Sequence, residues 1–282
     1  MSNSTHLKIA IQGIPGAFHH VAAQRLFPNQ SLEIVSAKTF EKLLERIHDR
    51  EQTDCGLMAI ENTISGSLLG NYQLLNASGL RVGGEVYLRI VQNLLVLPGV
   101  DLHELREVYS HPVALVQCRP FFKRFPKIKL ISAEDTALSA KRVRQWGKRK
   151  IGAIAPTLAA EMYGLEVAAA GIETYTRNHT RFLLLERRDG SLPKGGNKVS
   201  LCFQLGHHVG GLANVLNAFA LHRANLTKIQ SVPLLDSHFE YLFFVDFLLE
   251  ADGDLDGIMN VLQKHTRELR LLGRYTPWSE ED

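Results

Sequence analysis

Asn178-His179-Thr180-Arg181-Phe182 runs directly into Leu183-Leu184-Leu185. A hydroxyl, a guanidinium and an aromatic ring thus stand at the lip of an apolar run that ends in Glu186, Arg187 and Arg188. A short apolar run bounded by charge reads as a buried strand. Groups at the end of such a strand are held rigidly and still reach a cleft, where a hydroxyl and a cation can serve an anionic ligand. Satisfied strand ends also carry such residues, so the motif alone leaves both readings open.

Three strand-to-helix turns carry further small polar groups. A strand from Leu7 to Ile11 ends in Gln12-Gly13-Ile14-Pro15-Gly16, and a helix follows over about 17–27, stopped by Pro28. The turn matches neither G-x-G-x-x-G nor the Walker pattern, although backbone N–H groups at that helix start could hold a carboxylate. A strand from Cys55 to Ile60 runs into Glu61-Asn62-Thr63-Ile64-Ser65-Gly66-Ser67, then a helix to about Asn76. Val108-Tyr109-Ser110-His111-Pro112 opens a helix carrying Gln117 and Cys118. Ligands in open α/β sheets gather beyond the carboxyl ends of strands. Two such turns in one sheet therefore favour a shared anion site. Helix capping by Asn62, Thr63 or Ser65 remains an alternative, as does a structural turn role for His111.

The elements between these turns alternate. A strand over 32–37 precedes a helix capped by Thr39, with Phe40, Leu43, Leu44 and Ile47 at helical spacing. A long apolar stretch, Arg81 to Leu97, crosses into a second lobe. There a strand over 128–132, a helix capped by Asp135, a strand over 151–155 and a helix closed by Gly164 follow. Such alternation predicts α/β architecture with parallel sheets covered on both faces. A chain that leaves one lobe and returns predicts two lobes with a cleft and a hinge. Arg187 to Asn197, rich in glycine, reads as a linker. Beyond it the pattern becomes β-α-β-β-α-β, the ferredoxin-like unit.

Composition bounds the partners. The 282 residues are 45% apolar and 22% charged, enough for one large domain or two ordinary ones. A net charge of +3 argues against a nucleic-acid footprint. The basic residues Lys141, Arg142, Arg144 and Lys148-Arg149-Lys150 read as a solvated helix end and loop. Three widely spaced cysteines, Cys55, Cys118 and Cys202, form neither a disulfide framework nor a zinc pattern. Residues 1–6 lack the features of a signal peptide, and no apolar run approaches ~18 residues. The expectation is a reduced cytoplasmic protein without membrane or nucleic-acid partners.

Taken together, these residues resemble a known family, the prephenate dehydratases with a C-terminal ACT regulatory domain. The resemblance covers nearly the whole chain. It is carried by Ile60-Glu61-Asn62-Thr63 with Gly66-Ser67, Ser110-His111-Pro112 with Ala114-Leu115 and Gln117-Cys118, Asp135-Thr136-Ala137, and Asn178 to Phe182. It implies a two-lobed catalytic domain similar to a type II periplasmic binding protein over 7–187, with crossings near 80 and 170. A linker at 188–197 and an ACT domain at 198–276 would follow. The implied activity is that of a lyase in L-phenylalanine biosynthesis, converting prephenate to phenylpyruvate with no metal or organic cofactor. Thr180 would be catalytic, with Asn62, Thr63, Ser65, Ser110, His111, Gln117, Arg181 and Phe182 around the substrate. L-phenylalanine would be an allosteric effector bound between two ACT domains of a homodimer or homotetramer. Gly210, Gly211 and Leu212 would lie at a helix start, with Asn225 and Leu226 coming from the partner.

The sequence also departs from the family pattern. Its first turn, usually Gly-Pro-Glu-Gly-Thr-Phe-Ser, has Ala17 and His19 where hydroxyls are usual. Gln230-Ser231-Val232-Pro233 replaces the usual Glu-Ser-Arg-Pro. Arogenate as substrate, and a non-catalytic amino-acid sensor, stand as the other readings. In a regular strand Thr180 and Phe182 face one way and Arg181 the other. Arg181 would then brace the site, for instance against Glu61, and Phe182 would wall the pocket; with Thr180 in the turn, both Thr180 and Arg181 could reach the cleft.

Overall fold

A computed structural model describes residues 6–189, 195–206, 209–234 and 240–279. The chain divides into two compact units, Met1–Gly66 with Val86–Phe182, and Ser67–Glu85 with Leu183–Asp282. No helix among the described residues is long and apolar enough to cross a membrane.

The first unit opens with β1 (Leu7–Gln12), α1 (Phe18–Leu26), β2 (Leu32–Ala37), α2 (Phe40–His48), β3 (Cys55–Asn62) and β4 (Gly66–Ser67). β2 and β3 flank β1, both parallel to it. Thr39 caps α2 by accepting from the Lys42 N–H, and Leu43, Leu44 and Ile47 are buried along one helix face. Next come α3 (Leu69–Ser78), β5 (Arg81–Arg89) and β6 (Asn93–Val96). The apolar stretch from Arg81 is thus two strands. It breaks because Ile90 N–H donates to Asn178 O and Gln92 N–H to the Glu173 carboxylate, leaving the ladder.

A second sheet is built from β6, β7 (Glu107–Ser110), β8 (Lys129–Ser132), β9 (Ile151–Ala155) and β10 (Glu166–Ala169), in the order β10-β6-β9-β7-β8. Its helices are α4 (Pro112–Phe122), α5 (Thr136–Trp146) and α6 (Thr157–Tyr163). Side chains alternate across it: Leu95, Ala153 and Ala155 join one core with α5 and α6, while Leu94 and Ile154 join another with α4. The sheet is covered on both faces, but it is not all parallel. β6 runs antiparallel to both β9 and β10, whereas β7 is parallel to β8 and β9. Direction is not encoded in a short apolar run, which is why alternation alone suggested otherwise.

The chain then returns through β11 (His179–Glu186), giving a first sheet ordered β2-β1-β3-β11-β5, with β4 beside β3. The remainder is β12 (Lys198–Leu205), α7 (Gly211–Leu221), β13 (Ala224–Pro233), β14 (Tyr241–Leu249), α8 (Leu255–His265) and β15 (Arg267–Tyr275). These four strands are ordered β13-β14-β12-β15 and are antiparallel throughout. Val199, Leu201, Phe203 and Leu205, every second residue of β12, pack with Val215 and Phe219 of α7 and Ile258 and Leu262 of α8. In the same unit this sheet packs on the chain around α3 and β5. The rings of Tyr72 and Phe244 lie 4.8 Å apart, Arg270 donates to Asn76 O, and Lys228 Nζ reaches Ser67 Oγ at 2.8 Å. Lys198 Nζ lies 2.6 Å from Glu85 Oε1, with both side chains buried.

Candidate active site

The end of β3, the start of β11 and the helix α4 meet in a network of neutral amides and hydroxyls. Asn62 Oδ1 accepts from Ile64 N–H at 3.0 Å and Ser65 N–H at 3.1 Å, closing a turn. Two backbone donors at that oxygen fix the amide orientation, so Nδ2 must point the other way. It donates to Thr180 Oγ1 at 2.9 Å and to Asn178 Oδ1 at 2.7 Å. Asn178 Nδ2 then donates to Gln117 Oε1 at 3.2 Å. Thr63 Oγ1 joins by accepting the His179 N–H at 3.0 Å and by approaching Asn178 Oδ1 at 3.4 Å. Asn62, Thr63, Gln117 and Thr180 are therefore brought together, with Ser65 attached through its N–H. Helix capping is not what Asn62, Thr63 and Ser65 do: α3 starts after Leu68, with no side-chain cap.

Thr180 is mostly buried, and its oxygen accepts from Asn62. The hydroxyl proton has no acceptor among the described residues, so it can be aimed at a ligand. Asn178, 1% exposed, is the group that sequence reasoning passed over, although it heads the motif. Its signal was its type alone, an amide with donors and an acceptor that can bridge two partners.

Arg181 is 3% exposed, with its guanidinium 5.9 Å from the Tyr87 ring centroid. Phe182, 1% exposed, meets His19 edge-on at 4.8 Å and belongs to the interior. His19, where the family pattern has a hydroxyl, is buried, its Nε2 has no hydrogen-bond partner among the described residues, and burial lowers its pKa to about 3. His20 Nδ1 accepts the Gly16 N–H at 3.1 Å, and burial lowers its pKa too.

Ser110 and His111 bond away from this network. Ser110 Oγ donates to Ile154 O at 2.7 Å, tying β7 to β9. His111 Nδ1 accepts the Val113 N–H at 3.3 Å and caps α4. Nearby, Asp135 caps α5, and burial raises its carboxyl pKa, partly offset by the Leu138 and Ala137 N–H groups. Gly13 has a φ of 101°, and a Cβ there would come within 2.9 Å of Asp135 Oδ2, so the first turn needs glycine. Tyr163 OH donates to Pro15 O at 2.5 Å, holding that turn against α6.

In the second unit, Gly210 adopts φ 79° immediately before α7; Gly211 is buried and Leu212 packs on the core. Asn225 and Leu226 lie on β13, opposite Leu248 and Phe247 of β14.

Comparison with known proteins agrees with these motifs. The family model described as prephenate dehydratase matches residues 9–190. A relative from Arabidopsis thaliana, arogenate dehydratase/prephenate dehydratase 2, chloroplastic, is 35% identical over 288 residues, covering 98% of this chain and 74% of the relative. Among solved structures, GqqA, described as a novel type of quorum quenching acylase, is 29% identical with a TM-score of 0.86, over 98% of this chain and 100% of that one. Prephenate dehydratase from Arthrobacter aurescens, in complex with L-Phe, is 26% identical with a TM-score of 0.82, over 96% of this chain and 90% of that one. By the extent of the family match and the near-complete alignment with that plant relative, the chain belongs to the prephenate dehydratase family.

Proposed function

We propose that this protein converts prephenate to phenylpyruvate as a carbon–oxygen lyase in L-phenylalanine biosynthesis. The observation that carries the reading is the Thr180 hydroxyl, which accepts from Asn62 while its proton remains available. Prephenate is a dianion with a doubly allylic hydroxyl. Departure of that hydroxyl as water and of the ring carboxylate as carbon dioxide consumes one proton and leaves an aromatic ring. The reaction runs strongly downhill, so positioning and electrostatics can supply the catalysis. An alcohol is a poor free acid at neutral pH. Thr180 therefore acts by donating a hydrogen bond to the departing oxygen, and the amide behind it polarises that bond.

In this reading Asn62, Thr63, Ser65, Gln117 and His111 line the substrate site, and the fully buried Ser110, its hydroxyl donated to Ile154 O, holds the turn behind His111. Arg181 and Phe182, both buried, brace the strand that presents Thr180. Ser110 and His111 each bond to backbone groups and not to each other, which gives no support to a nucleophile–base pair there.

The test is phenylpyruvate formation by purified protein given prephenate, with arogenate in parallel. Thr180→Ser should keep much of the activity, and Thr180→Val or Thr180→Ala should lose nearly all of it. Equal activity of the serine and valine variants would overturn the role of the hydroxyl. A folded protein giving no product would overturn the reaction.

The same reading makes 7–187 a two-lobed catalytic domain of the type II periplasmic binding protein kind, 188–197 a linker and 198–276 an ACT regulatory domain. L-phenylalanine is its effector, held at Gly210, Gly211 and Leu212 with Asn225 and Leu226 of a second copy. The edge position of β13 in its sheet, with Ile229 exposed, supports pairing of two copies. Three separated, buried thiols suit a reducing, cytoplasmic setting.

A further inference from the structure

We propose that the first unit holds a second small-molecule site, a cavity of about 300 Å³ that takes a zwitterionic α-amino acid with an apolar side chain. The cavity lies among α1, the segment joining β5 to β6, and the start of α6, and shares no residue with the Thr180 network. Its size is at the small end of ligand pockets, which run from about 300 to 1,000 Å³, and suits one amino-acid-sized molecule.

Its lining has three chemical parts. Phe18 and Val21, one helical turn apart on α1, form an apolar wall with Val91 and Leu158. Arg89 is the cation: Nε donates to Thr176 O at 2.8 Å, and one Nη stands 3.9 Å from the Glu173 carboxylate. The rest of its fork is open to a ligand carboxylate. Glu161, one turn along α6 from Leu158, is the anion, and it has no hydrogen bond or ion pair among the described residues.

Arg89, whose guanidinium also faces the buried Glu173 carboxylate, and Glu161 thus line one cavity without pairing with each other. A ligand that satisfies both carries a carboxylate and an ammonium group, with its side chain turned to the apolar wall. A keto acid lacks the ammonium and meets Glu161 unpaired, and a simple amine lacks the carboxylate. The inference is independent of the dehydratase reading, because it concerns binding and not turnover.

Calorimetry on the full chain tests it, with L-leucine and L-phenylalanine at millimolar concentration. At least one should bind wild type at this cavity. Glu161→Gln, an exposed position, should weaken that binding severalfold, up to about fivefold, the loss expected for one solvent-exposed ion pair. Val91→Trp, which fills the cavity, should abolish it. Any binding at Gly210–Leu212 should persist in both variants, so the two sites are separable. The keto acid 4-methyl-2-oxopentanoate and isopentylamine should each bind severalfold more weakly than L-leucine. Isotherms unchanged by Glu161→Gln and Val91→Trp, equal binding of the keto acid, or no binding of either amino acid to wild type would each overturn the proposal.

Discussion

Asn62 Nδ2 donates to Thr180 Oγ1 across 2.9 Å, while Asn62 Oδ1 is held by two backbone N–H groups. The direction of that bond decides where the threonine proton can go. Asn62→Asp keeps an acceptor for Ile64 and Ser65 but removes the donor. Thr180 would then donate to the carboxylate, and its proton would be lost to the substrate. The expected result is a folded protein whose kcat falls by about 100-fold or more, the scale of losing one preorganised donor. Steady-state phenylpyruvate formation, with circular dichroism to check folding, measures it.

Asn178 joins the Asn62 amide to the Gln117 side chain and is itself buried. Asn178→Ala leaves Gln117 Oε1 without that donor and the Asn62 amide with one acceptor fewer. The expected cost is about 1–3 kcal/mol of stability, read by urea unfolding. A fall in kcat should accompany it, because Asn62 and Gln117 lose their common reference point.

His19 sets an acid limit to stability. Burial holds its folded pKa at about 3, against an ordinary 6.5. Between those values the unfolded chain binds the extra proton, so stability rises with pH through this window. The contribution is whole above about pH 6.5 and is lost as pH falls towards 3. His19→Leu removes the titration, so the slope of unfolding free energy against pH between 4 and 6 should be shallower than in wild type by up to about one proton. Urea midpoints across that range decide it.

Lys198 and Glu85 form a buried pair at 2.6 Å, with Trp278 N–H also near Glu85 Oε1. Lys198→Met takes the ammonium away from a buried carboxylate, and the expected cost is up to about 3–5 kcal/mol. Adding Glu85→Gln should recover part of it, because the carboxylate that lost this cation is then neutral. Chemical denaturation of the single and double variants forms the test cycle.

Gly210 sits at φ 79°, a conformation that a β-branched side chain adopts only with strain. With L-phenylalanine as the effector proposed above, Gly210→Val should weaken its binding and release inhibition while leaving the dehydratase rate without effector unchanged. Calorimetry and an inhibition curve together check it. Unaltered inhibition in a folded variant would remove Gly210 from the effector site.

Much of this was legible because the signals are local. Thr39 and Asp135 announce their helices by side-chain capping, and Gly164 ends α6 in the left-handed conformation. The alternating apolar residues of β12 mark a one-faced core strand. What local pattern cannot carry is partnership at a distance. The antiparallel course of β6 depends on which strands it meets, and the break after β5 on acceptors at Asn178 and Glu173. β3 runs on to Asn62, whose amide is engaged by residues 116 and 118 positions later. Thr180 was visible as a hydroxyl at a strand lip; that Asn62 and Asn178 stand behind it was not.

The packing of Tyr72, Asn76 and Glu85 on the C-terminal sheet has a consequence for anyone shortening the chain. Cutting after Arg187, to be rid of a dispensable appendage, would strip the cover from Tyr72 and take the Lys198 ammonium away from the Glu85 carboxylate. β5 would then enter the sheet that presents Thr180 from a damaged beginning. Loss of effector response in such a truncated protein would report a wounded scaffold and say nothing about a missing sensor.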